Sequence, residues 1–181
     1  MSTTPTRLMT FEEFQQIPDP PGGRYELHHG ELVEVAYPDY PHINAQRQLR
    51  RGLERAAGDS GIVDKEVPYR PLPEHECWCA DVAFVSRDRW KSMKQTRWLI
   101  GAPDLVIEVR SPSNTDKEIR EKEQICLQNG AREFWVVDTV VRTVRASTAD
   151  GSVMYTSGQS IPLFFGGSLA VDEIFQEIEG E

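Results

Sequence analysis

Four residues of this chain have the type and spacing to do chemistry together: Asp81, Asp104, Glu108 and Lys122. Asp104 and Glu108 lie in the stretch from Ala102 to Ser113, where they interrupt the apolar run of Leu105, Val106, Ile107 and Val109. Side chains along a strand alternate between its faces. Asp104, Val106, Glu108 and Arg110 therefore share one face, and Leu105, Ile107 and Val109 the other. Carboxylates on so apolar a strand are costly unless paired or bound to a cation. Asp81 repeats the pattern within Cys77 to Ser86, sharing a face with Cys79, Ala83 and Val85 while Ala80, Val82 and Phe84 take the other. If the two strands pair, Asp81 and Glu108 converge. Carboxylates a few ångströms apart repel strongly at low dielectric, and a shared proton or a divalent cation relieves them. Mg²⁺ (or Mn²⁺) suits such a pair, because Mg²⁺ takes one or two carboxylates plus waters and phosphate oxygens. Lys122 shares a helix face with Ile119 and Cys126, which turns it toward the sheet. From there a lysine can orient a water or stabilise charge on a phosphate.

Several elements must position these groups. Thr10 and Glu13 form a capping box opening a short helix, which stops before the loop from Pro18 to Gly23. Arg24–His28 and Glu31–Val35 read as a hairpin turning at His29-Gly30. Residues 43–57 have helical spacing, with Ile43, Leu49, Leu53 and Ala57 on one side and the basic stripe Arg47, Arg50, Arg51 and Arg55 on the polar side. A strand from Ile62 to Tyr69 precedes the Asp81 strand, and Arg87 to Leu99 is a loop or short helix. Ser111 to Thr115 reads as a turn and N-cap region, followed by a helix from Asp116 to Asn129 with Gly130 as its C-cap. Strands then cover Glu133–Asp138, Val140–Ala146 and the region near Val153–Thr156, and a last helix covers Val171–Ile178. This order implies an α/β (α+β) domain over residues 1–181, with a central mixed sheet flanked by helices and an added N-terminal hairpin.

Composition sets limits. The 181 residues are 39% hydrophobic and 27% charged, enough for one domain with a real core. There is no apolar run long enough to span a bilayer, and no signal-peptide core, so a cytoplasmic location is expected. Three cysteines, an odd number, suit a reducing compartment. Cys77 and Cys79 lack the partner ligands a zinc site needs. The net charge of −9 opposes a protein that coats nucleic acid. Its distribution softens that objection, because Val171 to Glu181 holds five acids and no Lys or Arg.

These residues resemble a known family. Tyr25 to Leu32, His42, Ala80 to Val85, Pro103 to Ser113, Lys122 and Gly130 to Asp138 are similar, in order, to the motifs of the putative restriction endonuclease family within the PD-(D/E)XK nuclease superfamily. Each motif is weak alone; jointly they are specific and span almost the whole chain. The resemblance implies a restriction-endonuclease-like fold and a Mg²⁺-dependent phosphodiesterase site. Asp81 would be the first acid, Glu108 the second, and Glu31 an acid brought near the site by the hairpin. Arg110 stands where the superfamily keeps its lysine, and Lys122 matches a lysine moved onto the helix. Ala80 replaces the usual proline and Cys126 the usual tyrosine.

The leading reading is a Mg²⁺-dependent endonuclease acting on nucleic acid, DNA first. Asp81 and Glu108 would hold the metal, and Lys122 would position water or phosphate. Arg47, Arg51, Arg87, Arg89, Lys91 and Lys94 would receive the nucleic acid, and a homodimer would suit the cutting of both strands. Each residue also has a plainer reading. Asp104 can begin a strand at a wet edge. Glu108 and Asp81 can be structural ion-pair members, and Lys122 can run its stem along an apolar face toward water. Glu31 suits a half-exposed strand. His42, after Pro41, reads as a helix-entry residue before a ligand. The arginine stripe reads first as a solvated helix face. The segment from Arg87 to Arg97 interleaves Trp90 and Trp98 with five basic residues, which suits phosphate contact and base stacking. Those tryptophans equally suit packing or a dimer contact. The alternative function is a non-catalytic nucleic-acid- or protein-binding module on the same fold; a third is a dimer-forming structural protein.

Overall fold

A computed structural model of the chain describes residues 7–111 and 114–177. Helix α1 (Phe11–Phe14) opens with the expected Thr10/Glu13 capping box. Strands β1 (Gly23–His28) and β2 (Glu31–Ala36) form the hairpin, with His28 opposite Glu31. Helix α2 (Tyr40–Ala57) begins three residues before the expected start at 43. Asp39 caps it by accepting the His42 N–H, and Pro41 occupies the first turn, where its missing donor is not needed. His42 thus lies inside the helix, not ahead of it.

Next come β3 (Gly61–Arg70), β4 (Trp78–Ser86), α3 (Arg87–Thr96), β5 (Leu99–Ile100), β6 (Leu105–Val109), α4 (Asp116–Gln128) and β7 (Glu133–Asp138). The chain continues through β8 (Thr143–Thr148), β9 (Gly151–Tyr155), β10 (Ser160–Pro162), β11 (Ser168–Ala170) and α5 (Val171–Ile174). β8 starts later than expected because Asp138 Oδ1 accepts the N–H groups of Val140 and Val141 and holds them in a turn. The last helix is four residues long, and Ile178 lies outside the described residues. So do Pro112 and Ser113 of the expected turn. The short strands β5, β10 and β11 carry no periodic pattern that could have announced them.

The seven-stranded sheet has the order β5-β3-β4-β6-β7-β8-β9. It is mixed: β3 and β4 pair antiparallel, as do β4 and β6, whereas β6 and β7 run parallel. A parallel pair needs a crossover, and α4 supplies it. One sheet face packs Val82, Phe84, Ile107 and Trp135 against Leu49 and Leu53 of α2. The other packs Ala83, Val85, Val106 and Phe134 against Ile119 and Cys126 of α4, with Trp90 and Met93 of α3 alongside. Among the described residues no helix is long and apolar enough to cross a membrane.

α4 has only two buried residues, Ile119 and Cys126, so its start depends on its cap. Thr115 accepts the Glu118 N–H at 3.2 Å and Glu118 returns a bond to the Thr115 N–H at 2.8 Å. Thr115→Ala is expected to cost about 1 kcal/mol in a urea melt, and a loss near zero would mean that α4 is held by its packing alone.

Candidate active site

β4 and β6 pair through Val82–Ile107, Ala83–Val106 and Phe84–Leu105. One step further along, Asp81 comes near enough to Glu108 for the two carboxylates to repel. The ladder stops there, and the Asp81 carboxylate replaces it: Oδ2 accepts the Val109 N–H at 2.7 Å. The next N–H, from Arg110, goes to Val137 O on the β7 side at 2.8 Å.

Asp81 also marks a break in alternation. Ala80 packs on the same side as Ala83 and Val85, whereas Val82 and Phe84 pack on the other. The strict alternation expected for this strand is therefore corrected at Asp81. Its cause lies across the ladder, where Glu66 takes the left-handed conformation at φ 52 and turns β3 over.

α2 supports Asp81 from the opposite layer. Gln46 Nε2 donates to Asp81 Oδ1 at 3.0 Å, and His42 Nε2 lies 3.0 Å from the same oxygen. Burial disfavours a charged His42 ring, but Asp81 outweighs it and holds the ring above its ordinary value.

Lys122 arrives from α4 because the crossover helix lies over the strands it joins. Its Nζ sits 2.9 Å from Glu108 Oε1, both side chains being largely buried, and 3.5 Å from Cys79 O. Burial disfavours the ammonium, yet Glu108 and Glu26 outweigh it and raise its pKa. Glu108 is pushed up to about 8: burial opposes its charge and Asp81 and Glu26 repel it, while Lys122 pulls the other way.

The hairpin adds Glu26, a residue that the sequence did not single out. Leu27 exchanges two 2.9 Å backbone bonds with Cys77, which lays β1 beside the entry to β4. Glu26 is buried, 2.9 Å from His28 Nε2 and 3.2 Å from Arg24 Nη2. Burial opposes its charge, but Lys122, His28 and Arg24 outweigh burial and bring it down to about 2. His28 in turn stacks on Trp78, ring centroids 5.2 Å apart.

The structure thus brings Asp81, Glu108, Lys122 and His42 together. It does not bring Asp104 to them. Asp104 is buried before β6 begins, accepts the Ser86 N–H at 2.9 Å and pairs with Arg89 at 3.3 Å. It is neither at a wet edge nor beside Glu108. Arg110 turns to Asp116, 2.7 Å away, at the start of α4. Glu31 shares the hairpin face of Glu26 and His28 but is exposed at the rim, and no hydrogen bond or ion pair joins it to Asp81, Glu108 or Lys122.

The basic residues divide similarly. Arg87 pairs with Asp59 at 2.9 Å, Arg89 with Asp104, and Lys91 with Asp88 at 3.7 Å. Arg50 and Arg55 pair with Asp64 and Glu173. Arg47, Arg51 and Lys94 are exposed and make no ion pair among the described residues. Trp98 packs edge-on against Phe11 at 5.2 Å and Trp90 packs on the core, so both tryptophans are anchors. The thiols are poor nucleophiles, with burial pushing Cys77 up to about 11 and Cys79 and Cys126 up to about 12.

Gln46 had a legible signal. His42, Gln46, Leu49 and Leu53 form one helical stripe, so two polar residues continue a buried apolar face. Glu26 had none, because alternating Arg24, Glu26 and His28 read as an ordinary solvated strand face.

A solved structure, described as a putative nuclease belonging to DUF820 from Anabaena variabilis, matches with a TM-score of 0.79. The match covers 92% of this chain and 97% of that one at 17% identity. The fold is accordingly restriction-endonuclease-like, with the mixed sheet and flanking helices that the sequence implied. No match to the chain is found among curated proteins. The match that decides kinship is to a family model, Uma2, described as putative restriction endonuclease; it spans residues 11–179, and the chain belongs to that family.

Proposed function

We propose that the chain is a Mg²⁺- or Mn²⁺-dependent endodeoxyribonuclease whose metal is held by Asp81 and Glu108. The observation that carries this reading is Glu108 itself: an acid facing a second acid across two strands, raised to about 8 by burial and carboxylate neighbours. Such a site gains from added positive charge. The donors fit Mg²⁺, which needs hard oxygens and only one or two protein carboxylates.

Mg²⁺ bound there would supply charge stabilisation for a phosphoryl oxygen and acidify a bound water. The protein's own groups do the rest. Gln46, His42 and the Val109 N–H fix the Asp81 carboxylate. Lys122 keeps a fixed positive charge beside Glu108, where a phosphate would gain negative charge. Glu26 holds Lys122 charged without competing for the reacting group. Exposed Arg47, Arg51 and Lys94 are available to DNA phosphates, and Glu31 stands at the rim.

A second reading has one observation in its favour. The direct Lys122–Glu108 pair already offsets the acid, as in a binding module without turnover. Supercoiled plasmid decides between them. Cleavage is expected with Mg²⁺ or Mn²⁺ and should cease on chelation. If neither DNA nor RNA is cut with either metal, and calorimetry detects no metal binding, the enzyme reading fails.

A further inference from the structure

The face that carries Glu108 continues across the sheet in one row. Glu108 is opposite Val136, and Val136 is opposite Arg145. Directly paired residues share a face, so Arg145 stands two strands from Glu108, about 10 Å away on the same side. α4 lies over this face with Asp116, Ile119, Arg120 and Glu123 on a single stripe. Between stripe and row opens a cleft of about 410 Å³, which Arg110 also lines.

Three arginines converge on one cleft, and the two acids beside them offset only two of the three charges. Two already pair with acids, Arg110 Nη2 2.7 Å from Asp116 Oδ1 and Arg145 Nη1 2.6 Å from Glu123 Oε2, so a phosphate would share or replace those carboxylates as partner. Arg120 is exposed and has no acid partner among the described residues. Paired guanidiniums present fixed forks, which match phosphate oxygens better than a point charge does. A chain of net charge −9 must concentrate its positive charge locally to bind a polyanion.

We propose that this cleft is a DNA-backbone subsite, in which Arg110, Arg120 and Arg145 receive a phosphate neighbouring the one at Glu108. The proposal rests on the nuclease reading above. It also sets the path of the strand: outward from Glu108 along the flank of α4 toward β8, while Arg47 and Arg51, on the opposite side of the sheet, would meet other phosphates.

The test is fluorescence anisotropy of a short labelled DNA duplex in chelator, titrated at several salt concentrations. The variant is Arg110→Ala with Arg120→Ala, which leaves the Arg145–Glu123 pair intact. Its affinity should fall about tenfold or more, and the slope of log K against log salt should flatten by roughly 2, at about 0.9 per phosphate contact. A control, Arg7→Ala with Lys65→Ala, removes the same charge elsewhere and should stay within about twofold of wild type. The subsite is overturned if wild type binds DNA and the cleft variant matches it in affinity and slope, or if the control weakens equally. If wild type cuts DNA with Mg²⁺ or Mn²⁺ yet binds none here, the subsite is overturned; if it does neither, the nuclease reading fails and takes the subsite with it.

Discussion

Glu108→Gln is expected to abolish metal-dependent cleavage and, at pH 8 without metal, to raise the melting temperature. The second effect follows from the sign of the shift. Glu108 rises from 4.5 to about 8 in the folded protein. A group raised in this way binds its proton more tightly when folded. Its contribution to stability is full below pH 4.5 and is lost as pH climbs through 8. The whole shift corresponds to on the order of 5 kcal/mol. Glutamine removes the charge and keeps the shape, and Lys122 keeps Glu26 as its counter-ion, so the penalty disappears. A chain of this size gains roughly 2–4 °C for each kcal/mol, and a rise of at least about 5 °C is expected by calorimetry at pH 8. At pH 4, where the acid is protonated in both the folded and the unfolded chain, the two proteins should melt together. Mg²⁺ should stabilise wild type by mass action and leave the variant unchanged. A variant that melts lower than wild type at pH 8, or that still cuts, would sink the assignment.

What could be read from the sequence divides by how local its physics is. The strands around Asp81 and Glu108 and the helix of Lys122 were legible because alternation and helical spacing are local rules. Their convergence was legible too, since acids in apolar strands need a common solution. Asp104 was misplaced because alternation gives a face but not a depth. Four residues before Glu108, it anchors the start of α3 instead, through the Ser86 N–H and Arg89. Glu26 was invisible because its burial depends on a long-range event, the docking of β1 at Cys77. The face change at Asp81 was equally hidden, since it begins with Glu66 on the neighbouring strand. The arginines of Arg87 to Arg97 looked alike in sequence. Only tertiary partners such as Asp59 and Asp104 separate those with structural work from those left free.

Lys122→Met should be the most destabilising single change at the site, and Glu108→Gln should rescue it. Lys122 is the common partner of two acids: it lies 2.9 Å from Glu108 Oε1, and its charge helps hold Glu26 at about 2. Removing one member of a buried ion pair strands the other and costs about 3–5 kcal/mol. Glu26 keeps Arg24 and His28, so most of the loss falls on Glu108, which faces Asp81 with no cation beside it. Without the ammonium the Glu108 carboxyl rises further above 8, so both folded proteins keep that proton below pH 8 and the deficit should grow only as pH climbs above 8. Urea melts at pH 9, where Glu108 is ionised in the wild-type protein, read the loss directly. In the double variant the charge that lacks a partner is gone, and a coupling of about 1–3 kcal/mol should return. Both single variants and the double variant should remain unable to cut DNA. Stability restored without activity would separate the hold of Lys122 on the acids from the role proposed for it at the phosphate. A loss below about 1 kcal/mol, unchanged by Glu108→Gln, would show that something other than this ion pair secures the acids.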